Sequence, residues 1–226
     1  MEVRKRGHCP HRCGREALAS CATIGLNPSP VEFQQRRWPP TALPIEDHLS
    51  RLSDYFVNRK VLYYESWFGV WECALKHIGR SYFKDTLHLD LSPRATIPVG
   101  SCPDRPLFVN MVAADIKWFF TLLAGLPQIR GLLVAGSSWC MTRNGKAGAA
   151  YLDRIIREAG PEFGFELAKV KVFQQSGPKV ALYRLSRPNG DSIPMFFCGA
   201  SPSSNSPREL IRAVQQHAAH LKHLGF

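Results

Sequence analysis

The sequence of 226 residues lacks several features that would assign it to a special class of protein. It has no apolar run long enough to span a bilayer. The basic N-terminal residues are not followed by the apolar segment of a secretory signal. Its cysteines contain no Cys-x-x-Cys pair of the kind that metal sites use. These absences predict a protein without a membrane segment, a bound metal or a cofactor.

Acidic residues are also scarce, since 18 Asp and Glu stand against 29 Lys and Arg, for a net charge of +11. Such an excess favours a polyanion as partner, because cationic side chains release counterions from a phosphate backbone. The seven cysteines are an odd number and are scattered, which is typical of reduced thiols in the cytoplasm. The segment His8–Cys13 could alternatively be a small metal knuckle.

The chain is long enough for one domain with a full hydrophobic core. We expect a basic tail at residues 1–18 and a single, monomeric domain at residues 19–226. Apolar runs predict strands at 21–26, 86–92, 131–136 and 193–198, with helices between them. That alternation is typical of an α/β fold, a three-layer α/β/α sandwich with a mostly parallel central sheet. A turn at Ser176-Gly177-Pro178 predicts a β-hairpin, residues 170–185, added to this sheet.

Two of these strands run directly into short polar loops. The first is followed by Gly25-Leu-Asn-Pro-Ser-Pro30, in which the two prolines end the strand abruptly. The last is followed by Ser201-Pro-Ser-Ser-Asn-Ser206 and then by the start of a helix at Pro207. The backbone N–H groups of a helix start attract anions. Two such loops at one sheet edge would face each other across a cleft.

Together these two segments resemble the motifs of the uracil-DNA glycosylase superfamily. The segment at residues 25–30 is similar to its motif Gly-(apolar)-Asn-Pro-(small), and the segment at residues 201–206 is similar to its Pro-Ser loop that enters a helix. The resemblance is to the mismatch-specific and single-strand-selective branches and covers most of residues 20–223. It implies a hydrolase that excises a damaged or deaminated base from DNA, with a flipped-out nucleotide as its substrate.

The resemblance implies catalytic roles for Asn27 and Ser201. Asn27 matches the asparagine that orients the attacking water. Ser201 stands where the family has His, Asn or Met, and its hydroxyl is a weaker donor to the departing base. The resemblance also implies DNA-binding residues in the loop at 201–206 and the helix after it, namely Ser203, Ser204, Asn205 and Arg208. A turn-forming role for Asn27 and a solvated loop at 201–208 are the structural alternatives.

Three further residues are candidates for binding the base. Gly25 closes the first strand, and Phe33 could stack on the extruded base, although it could equally be a core residue. Asp90 lies on the strand where family members that read uracil usually carry an asparagine. An ionised Asp only accepts hydrogen bonds, so it would suit an exocyclic amino group better than O4 of uracil. Asp90 could otherwise brace a neighbouring loop.

Two other functions remain open from the sequence. One is a catalytically inactive protein of the same fold that binds nucleic acid or a nucleotide. The other, more distant, is an unrelated α/β hydrolase with a serine or cysteine nucleophile. Ser29 and Ser201 fit such a hydrolase poorly, because a proline follows each of them directly and prevents the tight nucleophile turn.

Overall fold

The computed structural model of the chain describes residues 19–25, 66–91, 105–135, 155–174, 180–200 and 207–226. The expected tail at 1–18 lies outside these ranges, so the division into a tail and one domain stays a prediction.

The described strands form one six-stranded sheet in the spatial order β2-β1-β3-β6-β5-β4. In chain order they are β1 (Cys21–Gly25), β2 (Thr86–Asp90), β3 (Gly131–Ala135), β4 (Glu166–Gln174), β5 (Val180–Ser186) and β6 (Ser192–Cys198). The strands β2, β1, β3 and β6 run parallel to one another. The hairpin of β4 and β5 then extends the sheet, with β5 antiparallel to β6. The mostly parallel sheet and its added hairpin are therefore confirmed.

Within the described ranges, four helices with defined bounds accompany the sheet. They are α1 (Ser66–His77), α2 (Arg105–Ala124), α3 (Pro207–Gln216) and α4 (Ala218–His223). Residues 155–159 are also helical and lead into a 3₁₀ turn, Gly160–Phe163. After α1 the chain reverses at Gly79, whose φ of +79° suits glycine because it has no Cβ.

The helices cover both faces of the sheet. On one face, here called the α2 face, Ile24 and Val134 pack with Ile116, Phe119 and Phe120 of α2. On the opposite face, called the α1 face, strand residues pack with α1, α3 and α4, among them Cys21, Leu133, Phe196, Trp71, Leu75, Val214 and Leu221. Since β1 and β3 are covered on both sides, every one of their residues is buried. The three-layer α/β/α sandwich is thereby confirmed.

The alternation of β2 divides its residues between the two faces. Leu89 belongs to the core on the α2 face, and Leu87 packs against that core. His88 and Asp90 therefore point to the α1 face, where their side chains are only 14% and 20% exposed. The alternation that predicted a half-buried strand is thus present, but its polar residues face a helical layer.

Candidate functional site

The candidate site lies at the carboxyl edge of the parallel strands. Because β1, β2, β3 and β6 are parallel, the segments after Gly25, Asp90, Ala135 and Cys198 all start from this edge. Within the sheet, β2 lies on one side of β1, whereas β3 and β6 lie on the other side of β1. Ligands of open α/β sheets bind outside the carboxyl ends at such a reversal of strand order. The first motif, which follows β1, starts at this point.

The strand order also sets the width of the edge. The strands β1 and β6 are separated by β3 alone. Neighbouring strands lie about 4.8 Å apart, so the carboxyl ends of β1 and β6 are about 10 Å apart.

Four polar side chains meet near this edge on the α1 face and are here called the edge cluster: Thr23, Tyr82, His88 and Asp90. Thr23 Oγ1 lies 2.6 Å from the Tyr82 hydroxyl and 2.9 Å from His88 Nδ1. His88 Nε2 in turn lies 3.4 Å from Asp90 Oδ1. A continuous polar path therefore leads from the buried Thr23, which is fully enclosed, to a carboxylate at the end of β2.

The register between β1 and β2 brings Asp90 beside Gly25. The two residues are direct partners across the parallel pair, and Leu91 N–H donates to the Gly25 carbonyl at 3.2 Å. A Cβ added to Gly25 would clash with Asp90 Oδ1 and would lie 2.8 Å from His88 Nε2. Gly25 is therefore the residue that lets both polar side chains lie against the end of β1.

The turn after α1 positions Tyr82, the member of the edge cluster that contacts Thr23. Glu72 of α1 is buried and accepts hydrogen bonds from the Ser81 hydroxyl at 2.8 Å and from Tyr82 N–H at 3.1 Å. Arg80 also pairs with Asp85 at 2.8 Å across the same turn. These bonds fix the backbone at Tyr82 and so direct its hydroxyl to Thr23.

Aromatic packing encloses the histidine. The ring of Phe68 on α1 contacts His88 edge-on, with centroids 5.1 Å apart, and contacts Tyr82 at 5.6 Å. Edge-to-face contacts of this kind favour one ring orientation over others. The helix α1 thus contributes both the apolar wall and the turn that organises the edge cluster.

The structure brings two of the predicted site residues together, Gly25 and Asp90. A third, Arg208, is exposed in the first turn of α3. The remaining predictions fall outside the described residues, and for them no position is given: Asn27, Phe33, Ser201, Ser203, Ser204 and Asn205. Their roles stay predictions.

Sequence reasoning missed three members of the edge cluster. Thr23 sits inside an apolar run and reads as an ordinary strand residue, and Tyr82 belongs to a turn. From the sequence, His88 is only the polar partner in an alternating strand. The available signal was that His88 and Asp90 share one face, because side chains two residues apart on a strand point the same way.

The two buried cysteines among the described residues, Cys21 and Cys198, are poor candidates for a nucleophile. Burial raises the pKa of the Cys21 thiol to about 12 and that of the Cys198 thiol to about 11. Both thiols thus stay protonated at neutral pH and pack in the core on the α1 face. Among the described residues, no group of three or more His, Cys, Asp or Glu could hold a metal ion.

Comparisons of the chain with family models, with curated proteins and with solved structures found no match. None of the helices in the described ranges is both long and apolar enough to cross a membrane.

Proposed function

We propose that the protein is a DNA glycosylase-like hydrolase that excises a damaged or deaminated base by cleaving its N-glycosidic bond. The observation that carries the proposal is the contact of Asp90 with Gly25 at the carboxyl end of β1. Asn27, the candidate for the water-orienting role, follows Gly25 by two residues in the sequence. A carboxylate able to contact a base thus lies beside the end of β1, and the sequence continues from that strand to an amide able to hold a water.

The proposed reaction needs little acid–base chemistry from the protein. The extruded base enters the edge between the loops that follow β1 and β6, and Asp90 accepts a hydrogen bond from it. As the base departs, the sugar acquires oxocarbenium character, and a water held by Asn27 attacks its anomeric carbon. An amide can orient that water and stabilise developing charge although it is not a strong base. Ser201 donates to the departing base in this scheme.

The proposed partner is DNA, and two charge features support it. The net charge of +11 favours phosphate contacts. Arg208 is exposed at the start of α3, the helix that the second motif loop enters. The N–H groups of that helix start and the guanidinium would contact phosphates of the strand that carries the flipped base. The proposal includes a monomer, and the odd number of scattered cysteines in the sequence supports a location in the cytoplasm.

A second candidate function is a protein that keeps this edge for binding and has lost catalysis. The observation that favours it is Ser201, which stands where the family has His, Asn or Met, and whose hydroxyl is a weaker donor than a histidine. Such a protein would bind DNA or a nucleotide through the same edge without cleaving it.

Excision of bases from oligonucleotides tests the proposal. The purified chain is incubated with single and double strands that carry uracil, hypoxanthine, xanthine or an alkylated base, and abasic products are counted. For the base that is excised, Asn27→Ala should lower the rate by on the order of 10²-fold or more, because its contribution belongs to the transition state. DNA affinity should change little.

The matched control is Asn189→Ala, because Asn189 is exposed in the turn between β5 and β6 at the opposite edge. That variant should excise at the parent rate. A parent protein that cleaves none of the bases yet binds DNA would replace the glycosylase with the second candidate. A parent that neither cleaves nor binds DNA would exclude both.

A further inference from the structure

We propose that His88 is a positioning residue for Asp90, and that the oriented carboxylate selects a base carrying an exocyclic amino group. The inference deepens the proposed function and rests on it for the identity of the ligand as a base. It names the class of base by the chemistry that the edge cluster presents.

The first step concerns the proton on His88. An ionised carboxylate only accepts hydrogen bonds, so it favours a proton on the ring nitrogen that faces Asp90. That nitrogen is Nε2, which lies 3.4 Å from Asp90 Oδ1. In the neutral ring Nδ1 is then unprotonated and accepts a hydrogen bond. The geometry thus selects one tautomer of the neutral imidazole.

The second step is the source of that hydrogen bond. Thr23 Oγ1 lies 2.9 Å from Nδ1 and 3.4 Å from the Leu87 carbonyl oxygen, and we assign its single proton to the shorter contact. The Tyr82 hydroxyl, at 2.6 Å, then donates to Thr23. Each hydroxyl then donates once, in one direction, along the path Tyr82 to Thr23 to His88. Because Thr23 is completely buried and Tyr82 is 3% exposed, water does not compete for these bonds. The buried end of the cluster therefore favours a proton on the nitrogen that faces the carboxylate.

The third step concerns the orientation of Asp90. His88 approaches Oδ1, and the same oxygen lies against the end of β1 where Gly25 has no side chain. We assign the second oxygen, Oδ2, to the ligand. Because Oδ1 is held on the protein side, the carboxylate presents Oδ2 in a defined direction and needs no rearrangement when a base arrives.

The fourth step is the kind of base that fits. A fixed carboxylate oxygen attracts N–H donors and repels carbonyl oxygens. Cytosine-type and adenine-type bases present an exocyclic amino group, whereas uracil presents O4 at the corresponding position. A bidentate contact to a base edge discriminates by about fivefold or more in affinity, and we expect a single oriented carboxylate oxygen to reach about tenfold because it also repels a carbonyl oxygen. The edge cluster therefore favours amino-bearing bases, normal or alkylated, over uracil.

Binding of free bases tests this inference separately from excision. The full chain is titrated with cytosine, adenine and uracil, and each dissociation constant is measured by NMR or calorimetry. In the parent, an amino-bearing base should bind about tenfold more tightly than uracil. In Asp90→Asn the preference should move toward uracil, because the amide restores a donor.

The variants of His88 test its positioning role. His88→Phe keeps an aromatic ring beside Phe68 and removes the proton donor, so the preference for amino-bearing bases should fall below about threefold. His88→Gln should rescue most of it, since its amide N–H can donate to Asp90. Thr23→Val offers a variant that leaves the ring in place and removes the donor to Nδ1. It should reduce the preference in the same direction.

A ¹⁵N spectrum of the His88 ring gives a readout that requires no ligand. At pH 8 the proton should sit on Nε2 in the parent protein, with Nδ1 unprotonated. A proton found on Nδ1 would overturn the inference. So would equal binding of uracil and cytosine, an unchanged preference in a folded His88→Phe variant, or the absence of binding by all three bases. Lack of excision with selective base binding would instead argue against the proposed catalysis and leave this inference supported.

Discussion

The two faces of the sheet differ in what they bury. On the α2 face, aliphatic and phenylalanine side chains of the strands pack with Ile116, Phe119 and Phe120. On the α1 face the core is joined by buried polar residues, namely Thr23, Glu72, Ser81 and Thr86. A polar group is tolerated in a core only when it has a partner, and Thr23, Glu72 and Ser81 each take part in hydrogen bonds that lead to or support the edge cluster.

Both faces of the sheet bury apolar side chains, but the polar residues that could give specificity lie on the α1 face. The α2 face contributes burial, which depends on area and shape and not on chemistry at the edge. On the α1 face, polar side chains occupy part of the layer and hold His88 and Asp90 in place. The remaining buried polar residue among those described, Arg187, lies at the amino edge, where its guanidinium donates to the Leu126 and Ile129 carbonyls at 3.0 and 2.9 Å. It is a structural bridge far from the candidate site.

The largest expected effect comes from removing a buried aromatic side chain on the α2 face. Phe119 is fully buried, so Phe119→Ala should lower the free energy of unfolding by about 3–5 kcal/mol through lost burial and a cavity. Urea denaturation measures the change. The matched control is Trp118→Ala on the same helix, where the indole is 45% exposed and the effect should stay within about 0.5 kcal/mol. Equal losses at both positions would contradict burial as the reason for the contribution of Phe119 to stability.

The next effect should appear where β1 meets β2 on the α1 face. In Gly25→Ala the new methyl group occupies the space of Asp90 Oδ1 and His88 Nε2, so both side chains must move. We expect a loss of about 1–3 kcal/mol in stability from overpacking, together with loss of the preference among bases. Urea denaturation and base titration measure the two changes.

Gly125→Ala is the control for that substitution. A Cβ at Gly125 would make only ordinary contacts, the nearest at 3.4 Å to the Leu122 carbonyl oxygen. Its stability should stay the same or rise by up to about 1 kcal/mol. If Gly25→Ala keeps both its stability and its base preference, the close approach of Asp90 to β1 is not important for the site.

A smaller effect is expected from the buried hydroxyl of Thr23. Thr23→Val preserves the shape of the side chain and removes the group that contacts both Tyr82 and His88. The cost should be about 1–2 kcal/mol in the free energy of unfolding, because buried polar neighbours lose a partner. Thr121→Val is the control, since Thr121 is exposed on α2 and donates only to the Lys117 carbonyl. A loss no greater at Thr23 than at Thr121 would show that the polar path adds nothing to stability.

The smallest effect concerns His217, a titratable group on the α1 face away from the edge cluster. Its ring stacks on Phe173 with centroids 4.2 Å apart, and burial, His220 and Lys171 lower its pKa. The unfolded chain therefore binds the proton more readily, so this contribution to stability is present above pH 6.5 and is lost as the pH falls below it. Solvent screening should keep it below about 1 kcal/mol.

Thermal melting at several pH values between 5 and 8 measures this effect. That range brackets the ordinary pKa of histidine, about 6.5. In His217→Phe the stack is kept and the titrating group is removed, so melting temperature should fall less steeply on acidification. An identical pH dependence in parent and variant would show that His217 does not titrate with folding.

Much of the fold could be predicted from the sequence because its signals are local. The apolar runs at 21–26 and 131–136 predicted strands, and the structure has β1 and β3 there with every residue buried. The turn at residues 176–178 predicted the hairpin of β4 and β5. Such patterns depend on the period of a helix or strand, which neighbouring residues alone establish.

The sequence by itself thus determined the order of strands and helices, the basic charge and the two motif loops that motivate the proposed function. Only the tertiary structure decided the strand order in space, the pairing of Gly25 with Asp90, and the meeting of Thr23, Tyr82 and His88. Thr23 and Tyr82 lie 59 residues apart in the chain, so no local pattern links them. Their contact follows from the packing of α1 and its turn against β1 and β2. That packing depends on many burial and hydrogen-bond contributions, which act together only when all layers of the fold are assembled.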